Sequence, residues 1–201
     1  MFSILCWIVF GYLSGSLVWG YWIGKHFYGV DLRTKGSGNI GATNVFRVLG
    51  PVPGIFTFVL DVSKGALPIF MMKYFQQQNS NQVILLSVGL AAILGSKFSI
   101  FLKGKGGKAV NCSFGVILAI IPAEAIISFL AWILIFVATG YVSLASMTAA
   151  IVLPVMLWFL HKNITLIIAG TIISLLIIAT HRENIKRLLA GNENRFLLWK
   201  K

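Results

Sequence analysis

Acidic residues are almost missing from this chain: 5 Asp and Glu stand against 17 Lys and Arg in 201 residues, a formal net charge of +12. The carboxylates are Asp31, Asp61, Glu124, Glu183 and Glu193. No metal cluster is visible among them, no cofactor is expected, and none is placed to complete a serine triad. The two cysteines, Cys6 and Cys112, are too few for a disulfide framework. Charge of either sign is scarce at 11% of residues, whereas a soluble domain carries about 25%. Such a chain cannot cover its surface in water.

What is present is apolar. Hydrophobic residues make up 58% of the sequence, and mean hydropathy is +0.88. At roughly 20 residues per crossing, about seven membrane helices use up most of the 201 residues. The expected fold is an all-α polytopic membrane bundle, a single domain over residues 1–201. The spans read as residues 4–24, 54–75, 83–95, 110–121, 123–139, a sixth ending near 160, and 164–180. A cytoplasmic loop covers 25–53, an uncharged outer turn 76–82, and a cytoplasmic turn 140–146. A short amphipathic helix runs from His181 to Gly191. Two spans are short, which fits tilted, interfacial or re-entrant helices. The N-terminal apolar run has no basic region before it and is too long for a signal peptide, so it reads as a retained span. No internal repeat is visible, which weighs against inverted-repeat transporters.

The cations orient the chain. Lys25, Arg33, Lys35 and Arg47 follow the first span, Lys97, Lys103, Lys105 and Lys108 the third, and Arg182, Lys186, Arg187, Arg195, Lys200 and Lys201 the last. Only Lys73 and Lys162 lie on the opposite side. Lys and Arg counts set orientation, so the N-terminus is expected outside and the C-terminus in the cytoplasm. Cys6 and Cys112 then start from opposite faces and should not pair.

Two polar, glycine-rich segments fall on the cytoplasmic side. The first is Gly36-Ser37-Gly38-Asn39-Ile40-Gly41-Ala42-Thr43-Asn44, followed by Arg47; the second is Gly104-Lys105-Gly106-Gly107-Lys108. Glycine allows close backbone approach, and Ser, Thr, Asn and Lys donate to oxyanions. Gly36, Gly38 and Gly41 fit a dinucleotide fingerprint only as letters, because no strand precedes them. Exposed amides there can still form an anion nest. Ser37, Asn39, Thr43, Asn44 and Arg47 supply further donors. The second segment fails as a nucleotide loop, with Leu102 at the first glycine position and Ala109 at the hydroxyl position. It suits a phosphomonoester, cradled at Gly106 and Gly107 with Lys105 and Lys108 as point charges.

Asp61 and Lys64, at i, i+3 within an apolar span, read as a mutually neutralising pair or as a functional one. Gly65 and Pro68 suggest a kink beside them. His26 and His161 fall on opposite faces and have no evident role. His181 and Asn184 open the tail beside the anion segments, and Ser143 lies on the same face, so these three are candidate site residues.

Taken in order, Asp31-x-Arg33 through Asn44-x-x-Arg47, then Asp61-x-x-Lys64-Gly65-x-x-Pro68, then Gly-Lys-Gly-Gly-Lys108, then His181-Arg182-x-Asn184 through Glu193 resemble the acyl-phosphate:glycerol-3-phosphate acyltransferase family of the bacterial inner membrane. The resemblance covers nearly the whole chain. It implies transfer of a fatty acyl group from acyl phosphate to the 1-hydroxyl of glycerol 3-phosphate, giving lysophosphatidic acid and phosphate. It also implies that Ser37 and Arg47 are an essential pair and that the loop at 104–108 holds glycerol 3-phosphate. The resemblance likewise implies that His181 and Asn184 support activity and that Glu193 supports structure. Gly95-Ser96 stands where family members often have Gly-His. Apart from the two substrates and the lipid bilayer, no nucleic acid and no obligate protein partner is expected.

A mixed anhydride is already activated, so positioning and charge stabilisation suffice and a missing acid–base dyad is no obstacle. A small transporter of an anionic metabolite is the rival reading, and a lipid-binding scaffold the third. A transporter needs polar residues along a path across the membrane, whereas here they gather on one face.

Overall fold

The computed structural model describes residues 3–76, 81–160 and 163–196. Most of the expected outer turn (77–80), His161, Lys162, Lys200 and Lys201 lie outside the described residues. Among the described residues every regular element is helical, as the composition requires. Five segments are long and apolar enough to cross a membrane: Ile4–Phe27, Pro51–Phe75, Gln82–Leu102, Pro122–Thr139 and Val142–Leu160. A sixth is reached if Ile164–Thr180 is counted with Arg182–Leu189, to which it is bent by 59°. The expected fourth span is an apolar helix of only 11 residues, Val110–Ile120, about 17 Å long against a hydrocarbon core of about 30 Å. Among the described residues, five or six candidate spans stand where seven were expected.

The α-helices are α1 (Ile4–Ser16), α2 (Trp19–Trp22), α3 (Ala42–Leu49), α4 (Pro51–Phe75), α5 (Gln82–Lys97), α6 (Val110–Ile120), α7 (Pro122–Thr139), α8 (Val142–Leu160), α9 (Ile164–Thr180) and α10 (Arg182–Leu189). They correct the sequence reading in three places. The loop expected over 25–53 contains α3, and the second span starts at Pro51, where a proline at the first helical turn costs no hydrogen bond. The turn expected over 140–146 shrinks to Gly140 and Tyr141, because Gly140 adopts a left-handed conformation (φ +74°) that ends α7 abruptly and α8 begins at Val142. The first span is broken. Helix α1 stops at Ser16, Val18 leaves helical geometry, and the chain resumes as α2 and a π turn over Ile23–Phe27.

In lipid, a broken helix must find internal partners for its freed backbone groups. Ser99 Oγ donates to the Ser16 carbonyl at 2.6 Å, and Lys64 Nζ donates to the Leu17 carbonyl at 2.7 Å. A third freed carbonyl lies in α4. Pro68 has no N–H to give the carbonyl of Lys64 four residues earlier, and Ser14 Oγ of α1 donates to it instead at 2.8 Å.

The chain divides into two compact units, one up to Ile120 and one from Ile121. In the first, α1 packs on α5 and α4 on α6, around Trp7, Ile69, Met72, Leu85 and Val88. These pairs are closely spaced: a side chain at Gly15 would run into the Ala92 backbone, and one at Gly65 into the Cys112 carbonyl. In the second unit α7, α8 and α9 pack in sequence, with α10 and residues 190–196 at their end. Gly65→Val should therefore separate α4 from α6 and cost ~1–3 kcal/mol. It should lower the thermal midpoint in detergent, while Val59→Ala, at a residue 50% exposed on the outer surface of α4, leaves it close to the parent value.

Candidate functional site

The first glycine-rich segment is a loop built by its own side chains. Asp31 caps a short 3₁₀ turn, Leu32–Thr34, accepting from the Arg33 amide at 3.0 Å and from the Arg33 guanidinium at 2.6–3.1 Å. The hydrogen bonds from the Arg33 side chain hold the Asp31 carboxyl down at about 2. The same guanidinium lies over the Tyr21 ring, 4.8 Å from its centroid. Gly36 and Gly38 then take left-handed conformations, φ +59° and +73°.

Asn44 locks this loop. It is 1% exposed; its Oδ1 accepts from the Ser37 amide at 2.8 Å, and its Nδ2 donates to the carbonyls of Asn39 (2.8 Å), Lys35 (3.0 Å) and Leu32 (3.3 Å). Expected as a substrate donor, Asn44 spends its amide on the loop. A side chain at Gly36 would strike that amide, which is why glycine stands there. Asn39 Oδ1 accepts from the Gly41 amide at 3.2 Å, and Gly41 opens α3 without a side-chain cap. Ser37 is exposed, Thr43 is half-buried in the first turn of α3, and Arg47 is half-buried in its last turn.

The second segment differs from the expected backbone cradle. Its amides are used: Gly104 donates to the Ser99 carbonyl at 2.8 Å, Lys105 to Leu102 at 3.0 Å, Gly106 to Lys97 at 3.0 Å and Gly107 to Ser96 at 3.1 Å. The loop thus satisfies carbonyls at the end of α5, and Gly106 sits where any side chain would strike the Ser96 and Lys97 carbonyls. For meeting an anion the segment presents the side chains of Lys105, exposed, and Lys108, half-buried. Ser96 is buried and contributes its carbonyl here.

The two loops are neighbours. A Cβ at Gly107 would lie 3.6 Å from Asn39 Oδ1 and 3.9 Å from Ile40 Cγ1. Ile40 packs with Val18 and Tyr21, and Leu102 covers the same cluster.

The C-terminal unit holds the remaining candidates. Glu193, with a side chain 5% exposed, is a hub that sequence reading assigned only to structure. Its Oε1 accepts from Asn184 Nδ2 at 2.6 Å and from Ser143 Oγ at 2.9 Å, and its Oε2 from Arg187 Nε at 2.8 Å. Ser143 and Asn184, expected at the catalytic centre, thus fasten the tail, and Arg187 is a partner that the sequence did not single out. Beyond Glu193 the tail returns to the α7–α8 turn: the Phe196 amide donates to the Gly140 carbonyl at 2.8 Å, and Arg195 Nε to that of Thr139 at 3.0 Å. Burial pushes the Glu193 carboxyl up, but bonds from Asn184, Ser143 and Arg187 outweigh it and hold the group below its ordinary value. His181, a candidate site residue, is 2% exposed. Its Nδ1 lies 2.8 Å from the Ile177 carbonyl, an acceptor only, so Nδ1 carries a proton and donates it there.

This chain, with its adjacent pair of glycine-rich loops among apolar helices, has close counterparts. A family model described as Glycerol-3-phosphate acyltransferase matches residues 5–191. The chain belongs to the glycerol-3-phosphate acyltransferase family. Among curated relatives in that family, a glycerol-3-phosphate acyltransferase of Fusobacterium nucleatum is 45% identical, with 96% of this chain and 98% of the relative covered. One of Aquifex aeolicus is 44% identical, covering 94% and 97%. Crystal structures of PlsY, an integral membrane glycerol 3-phosphate acyltransferase, are similar throughout. Its glycerol 3-phosphate form superposes with a TM-score of 0.90 at 43% identity, and its lysophosphatidic acid form with 0.87 at 41%; each covers 97% of this chain and 96% of that one.

Because the Glu193 carboxyl titrates below its ordinary value, the stability that it adds is complete above the unfolded value of about 4.3. That stability is lost as pH falls through the lower folded value. Hydrogen-exchange protection of the Phe196 amide should persist at neutral pH and disappear in strong acid. Glu193→Gln, which offers an amide where Arg187 needs an acceptor, should abolish that protection at neutral pH. Unchanged protection in this variant would contradict the hub.

Proposed function

We propose that this chain transfers a fatty acyl group from acyl phosphate to the 1-hydroxyl of glycerol 3-phosphate. The products are lysophosphatidic acid and phosphate, and the whole chain acts as one catalytic domain. We place it in the bacterial inner membrane with its N-terminus outside and its C-terminus and both loops facing the cytoplasm, as its Lys and Arg distribution favours. The observation that carries the reading is the adjacency of two loops, one rich in hydroxyl and amide donors and one in lysine, on an otherwise apolar protein. Each substrate brings a phosphate, and the acyl chain needs lipid. A transporter reading gains nothing from two such loops side by side.

In this account Lys105 and Lys108 hold the glycerol phosphate as point charges, with Gly106 and Gly107 shaping the loop around them. Ser37, Asn39, Thr43, Arg47 and the uncapped start of α3 face the charge that builds on the acyl phosphate, while Asn44 keeps that loop in shape. The glycerol hydroxyl oxygen bonds to the acyl carbon, the bond from that carbon to the phosphate oxygen breaks, and the departing phosphate takes the hydroxyl proton. No enzyme nucleophile, metal, cofactor, nucleic acid or protein partner enters. His181 and Asn184 support activity from the C-terminal unit, where Asn184 and Ser143 act through Glu193.

Lys105→Ala with Lys108→Ala should raise the apparent KM for glycerol 3-phosphate at least ~10-fold, because charge-assisted bonds to phosphate contribute about 1.5–3 kcal/mol each. An unchanged KM would refute that assignment. Ser37→Ala should reduce kcat by roughly 10²–10³-fold, as loss of one preorganised donor does. Intact mass of the parent protein after incubation with acyl phosphate alone should be unaltered; an acyl adduct on Ser37 would establish a two-step mechanism instead. Turnover should proceed with acyl phosphate in the presence of chelator and fail with acyl-CoA alone.

A further inference from the structure

The buried pair Asp61–Lys64 has a geometry that mutual neutralisation does not require. Lys64 Nζ lies 2.8 Å from Asp61 Oδ1 within α4, which alone would balance the charge. Yet the same ammonium reaches out of α4 and donates to the Leu17 carbonyl at 2.7 Å. Leu17 is the first residue past the end of α1, where the first span breaks. The Lys64 side chain is 6% exposed, so solvent does not compete for this bond.

Both loops hang from that break. The carbonyl before Leu17, that of Ser16, accepts from Ser99 Oγ at 2.6 Å, and Ser99 in turn accepts the Gly104 amide on its own carbonyl at 2.8 Å. This line fixes the second loop. On the other side of the break, Val18 packs on Ile40 and Tyr21, and Gly20 lies so close to the Ile40 carbonyl that a side chain there would overlap it. This line fixes the first. The backbone at 17–18 is non-helical, and the carbonyls of Ser16 and Leu17 would otherwise be orphans in an apolar interior, so its path is set by whatever captures them.

We infer that Lys64, aimed by Asp61, is a positioning residue for acyl transfer: by holding the Leu17 carbonyl it sets the break from which both phosphate loops are suspended. It touches neither substrate. A site whose parts must stay within about half an ångström of productive geometry needs such support. The inference rests on the reading of these loops as the substrate site.

The test separates the hold on Leu17 from charge balance. A buried ion pair replaced by apolar residues of similar volume is usually tolerated for folding, so Asp61→Leu with Lys64→Met should purify as a monodisperse protein. If the pair only neutralises itself, this double variant keeps the parent kcat/KM. If Lys64 positions the loops, kcat/KM per folded molecule falls by ~10²-fold, the cost of a misplacement of about 1 Å, with KM for glycerol 3-phosphate raised as well as kcat lowered. Asp61→Asn with Lys64→Gln, which keeps a hydrogen-bonded pair but is one bond too short to reach Leu17, should show the same loss and serves if the first variant does not fold. Parent-like kcat and KM in either folded variant, beside a parent enzyme that turns over both substrates, overturns the inference and leaves the proposed function standing. A parent enzyme that turns over neither substrate removes both.

Discussion

A polypeptide that leaves helical geometry inside lipid must satisfy its own carbonyls and amides, and the N-terminal unit of this protein is organised around that requirement. At the carbonyls of Ser16, Leu17, Lys64 and Ala119 a side chain from elsewhere supplies the missing donor. Ser99 and Lys64 serve the break at 16–18, Ser14 serves the carbonyl that Pro68 cannot reach, and Lys73 Nζ donates at 2.6 Å to the Ala119 carbonyl at the end of α6. The lysine-bearing loop meets the same need, since its amides close the end of α5. Irregular backbone is what a phosphate site needs, and here it is also what ties the helices together.

This double duty shapes the chemistry. Had the second loop kept its amides for the ligand, the carbonyls of Ser96 and Lys97 would be orphans; having spent them, under the proposed function it meets a phosphate through lysine. Lysine is a mobile point charge and tolerates a substrate that must enter and leave, whereas the guanidinium of Arg47 offers a planar fork. An activated acyl donor needs little more than two such anion holds in register. A phosphate leaving group that takes the proton itself removes the need for the acid–base dyad that this carboxylate-poor chain lacks.

Much of the helical plan was legible in the sequence because apolar length is a bulk property of a segment. The α10 helix was legible too, from its polar face and Gly191. What escaped was local. Helix α3 has only 8 residues and follows four glycine and asparagine positions, Gly36, Gly38, Asn39 and Gly41, so its apolar Val45, Phe46 and Leu49 are lost among turn formers. The glycines of the second loop announced close backbone approach correctly, but not that the approaching group would be the protein's own carbonyls. Glu193 gathers partners that lie 6, 9 and 50 residues away, a convergence that no spacing rule anticipates. The motif order, by contrast, placed the chain in its family before any coordinate was needed.

The central claim is that one site on this protein joins two phosphate-bearing substrates in a single displacement. Phosphate release by purified protein in micelles, given acyl phosphate with and without glycerol 3-phosphate, tests it most directly. The account predicts release only when both are present, in step with one lysophosphatidic acid formed per phosphate. Equal release from acyl phosphate alone, or none with both substrates in folded protein, would contradict it.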